Sequence, residues 1–154
     1  MSIVRPLMTA VLVSTMMLGF SARAVAGGCE VSASPIVFGI YDSIHPADLV
    51  TVGTLMLTCS GVQGLVKIGL TAGDSQNFRQ REMHLGSSSL AYNLYFNATA
   101  TSIWGDGSAG SQLYTTSAPA TGAVVRLAVY GRMQSRQDAN AGAYRDSVSV
   151  MVTF

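Results

Sequence analysis

The final eleven residues, Tyr144 to Phe154, constrain the fold of this chain more than any other stretch. Val148, Val150, Val152 and Phe154 fall on one face, and Ser147, Ser149, Met151 and Thr153 on the other. A period of two is that of a half-buried β-strand. No turn or cap follows Phe154, so the strand is expected either to be paired on both sides or to await a partner. Apolar edges left unpaired template aggregation, and proteins blunt them with Lys, Pro or a bulge. Neither Lys nor Pro lies between Ser147 and Phe154. The edge is therefore expected to be meant for a partner.

The opposite end reads differently. Arg5 supplies a positive start, Leu7 to Phe20 an apolar run, and Ser21 to Ala26 two small-residue cleavage sites, after Ala24 or Ala26. This is the pattern of a secretory signal peptide over residues 1–26, with a run too short for a membrane span. Residues 27–154 are then expected to form one domain with a real core. Cleavage removes Arg5 and Arg23 and leaves seven basic residues against eight acidic ones. That balance gives no reason to expect nucleic acid or an anionic membrane as partner. Few charges and a single lysine, Lys67, suit a subunit embedded in an assembly.

Two cysteines, Cys29 and Cys59, in an exported chain suggest a disulfide. Closing a loop of about 30 residues would contribute on the order of 3–4 kcal/mol in the chain-entropy account. Free thiols are the alternative, as is lipidation of Cys29 after Ala26-Gly27-Gly28, which would orphan Cys59.

The rest reads as all-β, with turn signals every ten to fifteen residues and no amphipathic helix beyond about two turns. Strands are expected from Cys29 to Tyr41, broken at Pro35, and from Leu49 to Ser60, with Gly53 as a bulge. Others follow over 65–72, 90–98 and 123–134, with short ones at 83–85 and 112–116, then the final strand. Six or seven main strands at this spacing predict antiparallel sheets packed face to face.

Motifs for chemistry are missing. His45 and His84 have no metal-ligand or Glu-x-x-His partners nearby and read as loop or surface residues. No Gly-x-Ser-x-Gly elbow occurs. Gly105 to Gly110 spell G-x-G-x-x-G, but a strand follows rather than a helix and Asp106 would repel phosphate, so the segment reads as a turn. Asp106 lacks a second carboxylate nearby for calcium. Asp138 and Asp146 read as turn and strand-start residues, not an acid–base pair. Tyr92, Tyr95, Tyr130 and Tyr144 could stack on a sugar, but at strand spacing they read as sheet-face or core aromatics. Asn97-Ala98-Thr99 is a glycosylation sequon, meaningful only in a eukaryotic secretory host. No cofactor is expected, and the chain does not read as an enzyme.

Several pieces in order carry a resemblance. They are Cys29 with Phe38-Gly39-x-Tyr41, then Leu55-x-Leu57-x-Cys59-Ser60, Arg81-x-Met83 and Leu90-x-Tyr92-Asn93-Leu94-Tyr95. Trp104-Gly105-Asp106-Gly107, Val129-Tyr130-Gly131-Arg132, Ala141-Gly142-x-Tyr144-x-Asp146 and the alternating ending complete the set. With these, the mature chain resembles the spore coat protein U domain, the subunit domain of Csu-type chaperone–usher pili. The resemblance implies an incomplete immunoglobulin-like β-sandwich that lacks its last strand. A periplasmic chaperone lends that strand first, and at the outer-membrane usher the N-terminal extension of another pilus subunit replaces it. On this likeness Val148, Val150, Val152 and Phe154 line one wall of the acceptor groove, and Ile36 and Phe38 part of the other. Cys29 and Cys59 would staple the first two strands. The implied role is a structural subunit acting in adhesion or biofilm formation, exported to the periplasm and then the cell surface.

Only Gly27-Gly28, or Val25 to Gly28, would precede Cys29 after cleavage. Four residues reach at most ~14 Å, too short for a donor strand. The chain is therefore expected to accept a strand and not to donate one. The competing expectation is a self-sufficient carbohydrate- or surface-binding β-sandwich that uses Trp104 and the tyrosines. A small secreted enzyme is remote, because no nucleophile–base pair is present.

Overall fold

The computed structural model describes residues 27–154, and the secretory-leader reading of residues 1–26 lies outside them. Eight strands follow in order: β1 (Gly28–Ala33), β2 (Leu49–Ser60), β3 (Leu65–Leu70), β4 (Arg81–Leu85), β5 (Ser88–Tyr95), β6 (Tyr114–Ser117), β7 (Val124–Met133) and β8 (Val150–Thr153). They fall on the expected main strands and the two short ones, β4 and β6, except that the piece expected between Pro35 and Tyr41 forms no strand. No helix occurs among the described residues. Five strands form one sheet in the order β1-β2-β7-β5-β4, and three form another in the order β6-β3-β8. Every pairing between them is antiparallel.

The core lies between the sheets, as alternation requires. Leu55, Leu57 and Cys59 of β2, Leu90, Tyr92 and Leu94 of β5, and Leu127, Val129 and Met133 of β7 point inward. They meet Val66, Ile68 and Leu70 of β3 and the indole of Trp104. Trp104 is buried, stacks on Phe96 at 4.5 Å and donates Nε1–H to the Ile68 carbonyl at 3.0 Å. Burial removes Trp104 from any sugar-binding surface, which corrects its place in the binding-module reading. Cys29 and Cys59 sit opposite each other in the β1–β2 register and are joined by a disulfide.

Gly53 is not a bulge. The β2–β7 register runs unbroken from Leu49↔Met133 to Thr58↔Val124. The slip in alternation arises because Val50 and Val52 face out and are exposed, leaving Thr51 and Gly53 inward. Gly53 and Gly131 together make a notch in the inner face of the large sheet. A Cβ on Gly131 would sit 2.9 Å from Phe38 Cζ and 3.2 Å from Ile36 Cγ2, and one on Gly53 2.7 Å from Ile36 Cγ1. The segment after β1 fills this notch. Pairing of that segment ends just past β1, with Ser34 N–H donating to the Thr54 carbonyl at 2.9 Å. Pro35 then supplies no donor. Residues 35–41 leave the ladder and lay Ile36 and Phe38 over the two glycines. Gly131→Val is expected to evict Phe38, to cost about 1–3 kcal/mol by overpacking, and to open residues 34–44 to limited proteolysis. Proteolysis at the wild-type rate would contradict the notch.

Two crossings stitch the sheets. Trp104 N–H donates to Leu94 of β5, while Leu70 of β3 donates to the next carbonyl, Gly105. On the other side Arg145 exchanges two backbone hydrogen bonds with His84 of β4, and Ser149 then bonds to Thr71 beyond β3. The last segment therefore starts against the large sheet and finishes in the small one. Only Val150–Thr153 forms a regular ladder.

Candidate functional site

The sandwich is open along one side. β1 is an edge of the large sheet and β8 an edge of the small one. They lie near each other, yet no ladder joins them. Between them a cleft of about 490 Å³ runs down to the core. Ala33 to Phe38 form one wall, Tyr144 to Val150 the other, and Leu55, Leu70, Tyr92, Leu94 and Val129 the floor. A second cavity of about 910 Å³ shares Ile36, Phe38, Met83 and Tyr144 with the first. The two therefore form one trough, continuing along residues 39–43 and 139–143.

The backbone of the β8 wall is as open as its side chains. Ser149 faces β3: its carbonyl accepts from Thr71 N–H and its N–H donates to Thr71 Oγ1, both at 2.9 Å. Antiparallel alternation turns the N–H and C=O of Val148 and Val150 to the free side. Val148 and Val150 place their side chains in the cleft. Val152 pairs with Ile68 and packs on the core, and Phe154 is more than half exposed beyond the ladder. Ile36 and Phe38 stand on the facing wall, with the Phe38 ring edge-on to Tyr92 at 5.7 Å. The cleft thus gathers Ile36, Phe38, Val148 and Val150, while Val152 and Phe154 lie outside it. Apolar side chains also line the second cavity in the open: Val37 and Ile40 are largely exposed, Ile40 at 93 %.

A polar network that the sequence reading passed over braces the floor. Arg81, with 0 % exposure, points inward from β4. Its Nε and Nη2 donate to the Thr71 carbonyl at 3.0 and 2.8 Å, Nη2 also to the Trp104 carbonyl at 2.8 Å, and Nη1 to Asn93 Oδ1 at 2.6 Å. The guanidinium therefore ties β4, β5, the end of β3 and the Trp104 crossing together. Among the described residues no carboxylate pairs with it. Burial pulls its pKa down, but an arginine stays protonated. The available signal was alternation itself: Arg81 shares the inward parity of Met83 and Leu85.

Asp146, read as a strand-start residue, does more. Its Oδ2 accepts from Tyr92 O–H at 2.6 Å and its Oδ1 from Asp74 N–H at 2.9 Å, which fixes the start of the β8 wall. Burial, then the Asp146 carboxylate, push the Tyr92 phenol far above the ordinary tyrosine value of 10. Below pH ~10 both folded and unfolded chains hold this proton. Above it only the unfolded chain releases it, so stability is present below that pH and falls as pH rises. Urea unfolding at pH 8 and pH 11 is expected to show this loss, and Tyr92→Phe to flatten it. A Tyr92→Phe protein with the wild-type alkaline slope would contradict the assignment.

The remaining candidates are structural. Tyr144 O–H donates to the Asn140 carbonyl at 2.9 Å and meets Ser88 Oγ at 2.6 Å. Asp106 Oδ1 accepts from Ser108 N–H and Oγ–H, which caps the glycine turn and holds the carboxyl below its usual range. His84 sits in the Arg145 bridge, and His45 Nδ1 accepts from Ala47 N–H at 3.2 Å. Among the described residues no group of three His, Cys, Asp or Glu is placed to hold a metal.

The Spore Coat Protein U domain model matches residues 14–151. Among solved structures, the chain is similar to one in the crystal structure of the CsuC–CsuE chaperone–tip adhesion subunit pre-assembly complex, from archaic chaperone–usher Csu pili of Acinetobacter baumannii. The TM-score is 0.59 at 24% identity, over 84% of this chain and 40% of that one. The chain thus spans well under half of the solved chain it matches, and the likeness is one of fold. No curated protein matches it.

Proposed function

This chain belongs to the Spore Coat Protein U domain family, and we propose that it is an exported structural subunit of a chaperone–usher pilus or surface coat. Residues 1–26 act as the secretory leader and residues 27–154 as the subunit domain. The observation that carries the reading is the cleft beside β8. A sandwich whose buried core forms the floor of an open trough, beside a strand with a free edge, lacks one strand. An extended segment of alternating apolar residues fits there. Its backbone would pair with Val148 and Val150, and its side chains would settle between Ile36 and Phe38 and the β8 wall. A periplasmic chaperone supplies that segment first, and a strand donated by another subunit replaces it at the outer-membrane usher. The work is mechanical and adhesive, at the cell surface and in biofilms, and needs no catalytic group or cofactor. The trough weighs against a self-sufficient binding module, which would close its own core.

The test is a melting curve of the disulfide-intact chain, with and without an alternating apolar peptide of roughly ten to fifteen residues at ~3.3 Å per residue. A ligand that binds only the folded chain raises its stability by about 2.7 kcal/mol at a hundred times its Kd. A rise of several degrees with the alternating peptide, and none with a shuffled one, is the expected result. A melting temperature indifferent to both would remove the strand-acceptor reading.

A further inference from the structure

The outer face of the five-stranded sheet carries a second site, turned away from the cleft. Tyr95 of β5 and Arg132 of β7 alternate with the inward Leu94 and Met133 and so point outward. With Asp48, Arg79, Gln80 and Gln134 they surround a small pocket of about 190 Å³. The pocket is built rather than incidental. The buried Asn93 amide donates to the Phe78 and Arg79 carbonyls at 2.8 and 3.0 Å, which holds the 78–80 loop upright as one wall. The opposite wall is fixed by Asp48, whose carboxylate accepts from Ser135 N–H at 2.8 Å and from Arg132 Nε–H at 2.6 Å. These two contacts, Ser135 first, keep that carboxyl ionised below its usual range.

Both guanidiniums are anchored through Nε alone. Arg132 uses Nε on Asp48, and Arg79 uses Nε on the Ala109 carbonyl at 3.4 Å. Among the described residues, the terminal nitrogens of neither arginine have a protein acceptor. Two arginines against one aspartate give the pocket a charge of +1. Anchored forks with free terminal N–H groups match the planar, two-oxygen geometry of a carboxylate. Beside the forks lies an aromatic ledge: Tyr95 and Tyr130 are cross-strand partners, and Val52 continues the row on β2. Tyrosine faces take the C–H side of a sugar ring while their hydroxyls stay wet. Burial pushes the Tyr95 phenol above the ordinary tyrosine value.

We propose that this pocket binds a carboxylate-bearing sugar unit of a surface polysaccharide, with Arg79 and Arg132 on the carboxylate and the Tyr95–Tyr130 ledge under the ring. It would give the chain a ligand of its own, independent of the strand cleft.

Calorimetry on the exported chain with oligogalacturonate is the test, against neutral dextran oligomers and polyglutamate. Oligogalacturonate alone is expected to bind, more weakly as salt is added. Arg79→Gln removes one fork without leaving a buried charge and is expected to weaken binding about tenfold. Tyr95→Leu, its fold checked by melting, is expected to weaken it comparably. Val150→Asp, which alters only the cleft, should bind the sugar as wild type does, so failure of the strand-acceptor reading would leave this result standing. Equal binding of polyglutamate would reduce the site to a charge patch. That result, equal binding of dextran, no binding of oligogalacturonate, or wild-type affinity in Arg79→Gln would each overturn the proposal.

Discussion

Replacing Arg81 with methionine is expected to lower the melting temperature by roughly 10–15 °C. The reason is what stays behind. The Thr71 and Trp104 carbonyls receive their hydrogen bonds from this one guanidinium, and Asn93 Oδ1 would keep only its bond from Leu94 N–H at 2.9 Å. Each buried acceptor left without a donor costs about 1–3 kcal/mol. Methionine fills much of the space and no longer buries a charge, which offsets part of the loss. A net cost of about 4 kcal/mol follows from these opposing effects. Arg81→Lys should fall between the two, because one ammonium cannot reproduce a fork that spans two carbonyls and an amide. The disulfide would still hold β1 to β2, so the damage should appear at β4 and the Trp104 crossing, read by hydrogen exchange at Leu94 and Trp104. A methionine variant that melts within 2–3 °C of wild type would show that water replaces the guanidinium, a shift of under about 1 kcal/mol.

How much of this could be read from the residues divides along one physical line. Strands whose side chains alternate against a continuous core were legible: Leu65 to Leu70 and Leu90 to Tyr95 fell where period two put them. Features that depend on what lies across a sheet were not. Gly53 reads as a bulge within its own strand, and only the placement of Ile36 and Phe38 over Gly53 and Gly131 shows why glycine stands there. Arg81 reads as an ordinary charged residue until three strands and a crossing converge on it. The same limit divided the last segment. Its alternation is uniform from Val148 to Phe154, yet its partners change along the way. Arg145 pairs with the large sheet, Val150 to Thr153 with the small one, and Val148 and Val150 face the gap between. Period two says that one face is apolar; it does not say whether that face meets a core, a cleft or solvent. Val152 and Phe154 share the parity of Val150 but not its surroundings.

That difference makes Val150→Asp the most informative single change at the cleft. In the uncomplemented chain the Val150 side chain borders an open trough, half-buried, and an aspartate there keeps much of its water. The melting temperature of the free chain should therefore shift by only a few degrees, as for a change of about 1 kcal/mol. Once a strand is seated, the same carboxylate is closed in beside Leu70, its register partner on β3, and the leucines of the floor. No arginine or lysine lines that part of the cleft except Arg145, which is exposed and whose backbone is already engaged with His84. An unpaired charge sealed from water costs several kcal/mol, and even about 3 kcal/mol is a loss of more than a hundredfold in affinity. Strand capture should thus collapse while the empty fold survives, and the same substitution at Val124, exposed at the start of β7, should leave capture intact. If Val150→Asp takes up the alternating peptide as wild type does, the incoming strand does not run along β8. The open edge would then need a different partner, one that covers the wall of Ile36 and Phe38 without touching the other.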